Sequence, residues 1–151
     1  MAQDRSPKAA ERLSLSAYAR LMRAANAARS HASRQLGDTG LTLTQFAVLE
    51  ALYHLGSMSL SEIAKKILTT GGNLTMVVGN LEKQGFALRQ RSPEDGRVLL
   101  LVLTPKGRKL MRELFPQHAA AIVDFMGSLS PKEQERLSEL LRQLAKGRPQ
   151  P

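Results

Sequence analysis

Ser61-Glu62-Ile63-Ala64-Lys65-Lys66-Ile67, then Leu68-Thr69-Thr70-Gly71, then Gly72-Asn73-Leu74-Thr75-Met76-Val77-Val78-Gly79-Asn80-Leu81-Glu82-Lys83, and after Gly85 the run from Ala87 to Leu103, decide how this chain folds. The first segment has the apolar spacing of a short helix, with Ile63, Ala64 and Ile67 facing inward. A four-residue connection follows. The helical pattern resumes through Leu74, Val77, Val78 and Leu81, and Gly85 stops it. Ala87 to Arg91 and Val98 to Leu103 read as strands, and Ser92-Pro93-Glu94-Asp95-Gly96-Arg97 supplies the turn between them. Helix, turn, helix and β-hairpin in that order make a winged helix. Its second helix commonly enters a DNA major groove with the hairpin beside it.

Long helices flank this segment. Upstream, Ser59-Leu60-Ser61-Glu62 is a capping box that starts the first short helix, and Thr42-Leu43-Thr44-Gln45 is another. The helix that Thr42 opens carries Phe46, Leu49, Leu52 and Tyr53 on one side and stops at Gly56. From Leu13 to Leu36 the helical stripe is Tyr18, Leu21, Met22, Ala25, Ala28, Ala32 and Leu36, ended by Gly37. Downstream, Thr104-Pro105 is an N-cap with Pro at the first helical position, followed by Leu110, Met111 and Leu114. Pro116 removes one backbone bond and is expected to kink or split this helix. The pattern resumes from Ala119 to Met126. Ser130-Pro131-Lys132-Glu133 opens a last helix with the stripe Leu137, Leu140, Leu141 and Leu144, ended by Gly147 and Pro149. The fold class is therefore mainly α with a small β-hairpin wing, a single domain over residues 1–151. Its winged lobe spans 42–104, and the helices of 10–37 and 105–146 are rich in Leu and Ala. Their expected use is a two-fold dimer interface; completing a monomeric core is the alternative.

The chain has 151 residues, enough for one domain with a real core. Its formal net charge of +9 favours a polyanionic partner, against the plainer reading of solubility charge. The charge is spread out: Gly56 to Thr104 holds six Lys or Arg against four Asp or Glu. Cysteine is absent, which excludes disulfides and thiol chemistry. No apolar run approaches the ~20 residues of a membrane span, and the N-terminal residues lack the apolar core of a signal peptide, so the expected location is cytoplasmic. With no Trp and few aromatics, stacking on single-stranded nucleic acid is disfavoured. His31, His54 and His118 share no ligand spacing, no nucleophile elbow is present, and Gly71-Gly72 lacks the remainder of a phosphate loop. The expectation is a non-enzyme without cofactor or metal.

On the second helix of the pair, Asn73, Met76, Asn80 and Lys83 are left outward, with Thr70, Gly72 and Thr75 near its start. Thr69 or Thr70 can cap the first turn. Asn can bond adenine bidentately and Thr can touch a thymine methyl. No outward Arg or Lys precedes Lys83, so guanine readout should be limited. The hairpin adds Arg89, Arg91 and Arg97, the first two expected near phosphates, and an Asp95–Arg97 pair would stiffen its tip. The candidate DNA contacts are Ser59, Thr69, Thr70, Gly72, Asn73, Thr75, Arg89, Arg91, Asp95 and Arg97.

The Asp95-Gly96-Arg97 turn, the hydrophobic strand and then Leu103-Thr104-Pro105-Lys106-Gly107 resemble the signature of the MarR family of bacterial transcriptional regulators. Leu81-Glu82-Lys83-Gln84-Gly85-Phe86 resembles the end of that family's recognition helix, and the similarity extends over roughly residues 10 to 146. The resemblance implies a homodimer whose two lobes meet half-sites of a pseudo-palindromic double-stranded operator, most often as a repressor. It implies that Arg97 enters the minor groove, braced by Asp95. It also implies a small phenolic or lipophilic effector that shifts lobe spacing, with Tyr18, Met22, Tyr53, His54 and Met111 as candidate pocket residues; ordinary core is the competing reading for each. A winged-helix module that binds another protein instead of DNA remains the second functional reading.

Overall fold

The computed structural model describes residues 9–67 and 71–147. Its elements are α1 (Ala9–Arg34), a 3₁₀ turn (Gly37–Thr39), α2 (Leu43–Leu55), β1 (Met58–Ser59), α3 (Leu60–Ile67), α4 (Gly71–Lys83), β2 (Ala87–Arg91), β3 (Leu99–Leu103), α5 (Pro105–Met126) and α6 (Pro131–Lys146). They fall into two compact units, Ala32–Ala119 and a second made of Met1–His31 with Ala120–Pro151. The boundaries lie inside α1 and α5. Among the described residues no helix is long and apolar enough to cross a membrane.

The Ala32–Ala119 unit is the winged lobe. Its core joins Phe46, Val48, Leu49 and Leu52 of α2, Ile63 of α3, Leu74, Val78 and Leu81 of α4, Leu101 of β3 and Met111 of α5, all buried. Apart from Val48 and the strand residue Leu101, these belong to the stripes that the helical spacing marks out, and burying each such side chain stabilises the fold by roughly 1.5–3 kcal/mol. The Thr42 hydroxyl accepts from the Gln45 N–H (3.2 Å) and the Gln45 side chain accepts from the Thr42 N–H (2.8 Å), so α2 begins on a complete capping box. Gly56 ends it at φ 84°, a left-handed conformation that favours glycine.

Four details differ from the sequence reading. First, α1 stops at Arg34 instead of running to Leu36. The Thr39 hydroxyl donates to the Leu36 carbonyl at 2.6 Å and accepts from the Leu41 N–H at 3.2 Å, an exchange that turns the chain and buries both leucines. Second, the hairpin belongs to a three-stranded antiparallel sheet in the order β1-β3-β2. Met58 pairs with Leu101 and Ser59 with Leu100. A two-residue strand has no periodicity to read, but it explains the apolar run of β3, which is the central strand. Third, β3 begins at Leu99, because Val98 is spent on the turn: its N–H donates to Asp95 and its carbonyl accepts from Ser92. Fourth, α5 runs continuously through Pro116. Pro116 is exposed, and the Gln117 side-chain amide donates to the Glu113 carbonyl at 3.2 Å, adding a donor where a helical proline loosens the ladder.

In the other unit, Gln134 Nε2 donates to the carbonyls of Met126 and Leu129, both at 3.0 Å, and closes the turn between α5 and α6. This unit exposes several large apolar side chains: Leu13 (73% exposed) and Tyr18 of α1, Val123 (71%) of α5, and Leu140, Leu141 and Leu144 (62%) of α6. Ala17, Tyr18 and Leu21 form a groove with Leu137, Leu141 and Leu144.

Capping carboxylates give the fold a pH dependence. Glu62 accepts from the Ser59 hydroxyl and N–H (both 2.7 Å), and Glu133 from the Ser130 hydroxyl (2.7 Å) and N–H (2.8 Å). These bonds favour the charged form and hold both carboxyls below their ordinary value. The unfolded chain therefore binds protons more readily. The contribution is fully present above the ordinary carboxylate range and fades as pH falls through and below it. Replacing both residues (Glu62→Gln with Glu133→Gln) should flatten the acid limb of a plot of urea midpoint against pH. An unaltered limb would mean that other carboxylates set it.

Candidate nucleic-acid interface

Helix α4 buries Leu74, Val77, Val78 and Leu81, which fixes its outward face. Gly72, Asn73, Thr75, Met76, Asn80 and Lys83 are left off that buried stripe, as the spacing predicts, and Asn73, Thr75 and Met76 are exposed there. Thr69 and Thr70, candidate contacts ahead of the helix, lie outside the described residues.

The end of α4 is clamped by the segment Thr104–Gly107. The Thr104 N–H donates to the Phe86 carbonyl (3.0 Å), its hydroxyl donates to the Gly85 carbonyl (2.7 Å), and the same hydroxyl accepts from the Gly107 N–H (3.0 Å) as N-cap of α5. Lys106 Nζ donates to the Gln84 carbonyl at 2.7 Å and lies 4.8 Å from the Phe86 ring centroid. Gly107 lies against the Phe86 carbonyl so closely that a Cβ would sit 2.1 Å from its oxygen. Three residues of this run thus hold the fold together here. Thr104 caps and crosslinks, Lys106 caps the carbonyl end of α4, and Gly107 permits the approach.

The wing organises itself through its own backbone. Ser92 Oγ accepts from the N–H groups of Glu94 (3.2 Å) and Asp95 (3.3 Å). Asp95 Oδ1 accepts from the Arg97 N–H at 3.0 Å, and Arg91 Nη1 donates to the Gly96 carbonyl at 2.6 Å. Asp95 therefore stiffens the tip through the Arg97 backbone, where the sequence suggested an ion pair. Among the described residues the Arg97 guanidinium has no ion-pair partner and is exposed. Arg91, by contrast, is engaged across the loop.

Arg89 is engaged too. Its Nη1 meets Glu82 Oε2 at 2.7 Å and its N–H donates to Glu82 Oε1 at 3.2 Å, tying β2 to α4. Glu82 is no candidate from sequence; a seven-residue separation across a glycine stop has no helical or strand periodicity to reveal it. Ser59 likewise spends its hydroxyl on the α3 cap, bonded to Glu62 and 3.1 Å from Ser61 Oγ. Arg89→Ala should lower stability by roughly 1 kcal/mol, as for a partly exposed ion pair. Its effect on duplex affinity should stay below about threefold, with the salt dependence nearly unchanged. A salt slope reduced by about one per wing would instead make Arg89 a phosphate contact.

The effector candidates divide between the units. Met111 is fully buried in the lobe core; Tyr53 is half-buried and His54 exposed. Their rings approach Phe115, with His54 at 4.5 Å and Tyr53 at 6.4 Å between centroids. Tyr18 and Met22 belong to the other unit and are exposed. Among the described residues no group of three or more His, Asp or Glu is placed to hold a metal ion.

Comparisons with known proteins agree with this geometry. Residues 41–99 match the MarR family. The chain is 39% identical over 131 residues to the HTH-type transcriptional regulator MhqR of Bacillus subtilis, covering 87% of this chain and 90% of that protein. Sco3205, a MarR family transcriptional regulator from Streptomyces coelicolor solved in complex with DNA, superposes with a TM-score of 0.80 at 30% identity, over 96% of this chain and 91% of its own. BpsR of Bordetella bronchiseptica, whose DNA binding is regulated by 6-hydroxynicotinic acid, superposes with a TM-score of 0.75 at 30% identity, over 83% of this chain and 89% of its own.

Proposed function

This chain belongs to the MarR family of transcriptional regulators, which are not enzymes, and from that premise we propose that it acts as a homodimeric repressor on a pseudo-palindromic, double-stranded operator. The observation that carries this reading is the pairing of two exposed features on one lobe. Helix α4 turns Asn73, Thr75 and Met76 outward while its apolar stripe is buried, and the neighbouring hairpin tip bears an exposed Arg97. The helix suits base edges in the major groove, and an arginine suits the electronegative minor groove. Thr69 and Thr70, ahead of α4, remain proposed contacts on sequence grounds, as does Gly72 at its start; Ser59, Arg89, Arg91 and Asp95 act by holding the cap and the wing in place instead of touching DNA.

The apolar face of α1 and α6 supports the dimer. Leu13, Tyr18, Leu140, Leu141 and Leu144 are too exposed for a monomer's surface to hold at no cost, and a two-fold pairing would remove them from water. Two lobes so joined would meet half-sites about one helical turn apart. We extend effector control to this chain from the behaviour of BpsR: a small phenolic or other lipophilic anion that prefers one lobe arrangement would lower operator affinity. Tyr18, Met22, Tyr53, His54 and Met111 are the residues to vary.

The deciding experiment is fluorescence anisotropy on DNA from upstream of the chain's own gene, against a scrambled duplex at the same near-physiological salt. Nanomolar binding with the scramble at least ~1000-fold weaker is the expected result. Equal, weak binding to that duplex, to other candidate promoters and to the scramble would favour a winged-helix module for a protein partner.

A further inference from the structure

We propose that Met76 is a thymine reader: its thioether side chain packs on the C5-methyl group of a thymine in the major groove, and Gly72 and Gly79 let the helix come close enough for it to do so. The proposal rests on the DNA-binding function proposed above and assigns a base preference to that same site. Met76 is 64% exposed on a helix that buries Leu74, Val77, Val78 and Leu81, so it is a large apolar group held away from the core. An isolated exposed methionine would need no explanation. Its setting is what distinguishes it. Gly72 lies four residues before it and Gly79 three residues after, which puts both glycines on its own face, one turn to either side. Among the described residues, and apart from the adjoining residues and the helix's own backbone, no atom lies within 4 Å of where a Cβ would stand at either position. The packing of the lobe therefore does not call for glycine there, although glycine lowers helix propensity at both sites. A partner outside the chain gives the bare flanks a purpose: with no side chain on either shoulder, Met76 stands proud and the backbone can settle deeper into a groove.

Chemistry then selects the partner group. Guanine is read chiefly by Arg or Lys, and this face offers only Lys83, the last residue of α4. The apolar feature among base edges in the major groove is the thymine methyl. Methionine suits it, being unbranched, polarisable and able to follow an irregular contact.

The test starts with the full-length protein and a random duplex library, to recover its preferred site. Each thymine of that site is then replaced in turn by uracil, which removes the methyl and keeps the pairing. Uracil at that thymine in one half-site should weaken binding about fourfold, and at both symmetric positions about fifteenfold, the scale of one methyl group's burial per half-site. Met76→Ala should bind the thymine and uracil duplexes alike, and Met76→Leu should keep most of the difference. Uracil without effect at every position, in a site that is nevertheless bound specifically, would overturn the role of Met76 and leave the regulator reading standing. A uracil penalty that persists in Met76→Ala would assign the methyl contact to another residue and overturn it as well. If the library yields no preferred site, the proposal falls together with the DNA-binding function.

Discussion

Gly107→Ala is expected to lower the stability of the winged lobe by about 2–3 kcal/mol, against the sign that helix propensity alone would give. Gly107 sits in the first turn of α5, where alanine is ordinarily the better helix former by ~1 kcal/mol. The new methyl would, however, stand 2.1 Å from the Phe86 carbonyl oxygen, 3.0 Å from its carbonyl carbon and 2.9 Å from Leu103 Cδ1. Two of those three atoms are backbone, so no rotamer change relieves the contact. Either α5 withdraws from the end of α4 or the Phe86 peptide turns. Both movements disturb the Thr104 bonds to Gly85 and Phe86. Overpacking a tight site costs about 1–3 kcal/mol by itself, and the strained bonds add to it. Urea unfolding at constant m would report the loss as a lower midpoint. Gly79→Ala is the control, since among the described residues nothing beyond its own helix and chain neighbours lies within 4 Å of the added methyl, and it should gain stability by up to ~1 kcal/mol. A Gly107→Ala protein as stable as the wild type would mean that α5 slides freely against α4, and the clamp would lose its role.

That clamp separates what the sequence made legible from what it did not. The Leu103-Thr104-Pro105-Lys106-Gly107 run is readable as a motif, and Thr104 and Pro105 are readable as helix-opening residues. The need for glycine at 107 is not, because it depends on a backbone segment about twenty residues earlier arriving at the same place. The same division holds elsewhere. Capping boxes at Thr42, Ser59 and Ser130 are local in sequence, and the structure forms all three. The buried stripe of α4 follows from helical period alone, whereas α2 also buries Gln45 and Val48 off its expected stripe and leaves Tyr53 half-buried. Met58–Ser59 and the Glu82–Arg89 pair are matters of tertiary register, and nothing local announces them. Pro116 shows the converse: its local effect is real, yet an exposed position and a continuing apolar stripe keep α5 in one piece. For the candidate interface, outward residues of α4 were legible from period. Which wing arginines are already engaged was not, and that distinction decides which of them to mutate.

Arg97→Ala is expected to cut operator affinity about 30- to 150-fold while leaving the unfolding midpoint where it was. Arg91 is bonded to Gly96 and Arg89 to Glu82, so the wing's own structure occupies both. Arg97 contributes to the turn through its backbone N–H, held by Asp95. Truncating its side chain leaves that bond in place, hence the unchanged stability. A charge-assisted contact in the narrow, electronegative minor groove is worth roughly 1–1.5 kcal/mol per wing after the cost of ordering the side chain. A dimer makes it twice, which gives about 2–3 kcal/mol and the stated range. The loss should fall on native and scrambled duplexes to a similar degree, since a minor-groove arginine carries little base code. The slope of log affinity against log salt should shrink by about two, one charge from each wing. Asp95→Ala should show a weaker version of the same loss, because it loosens the backbone that aims Arg97. Titrations of labelled duplex at several salt concentrations measure all of these together. If Arg97→Ala bound the operator as tightly as the wild type at every salt, the wing would have no part in DNA recognition, and α4 would have to account for all of it.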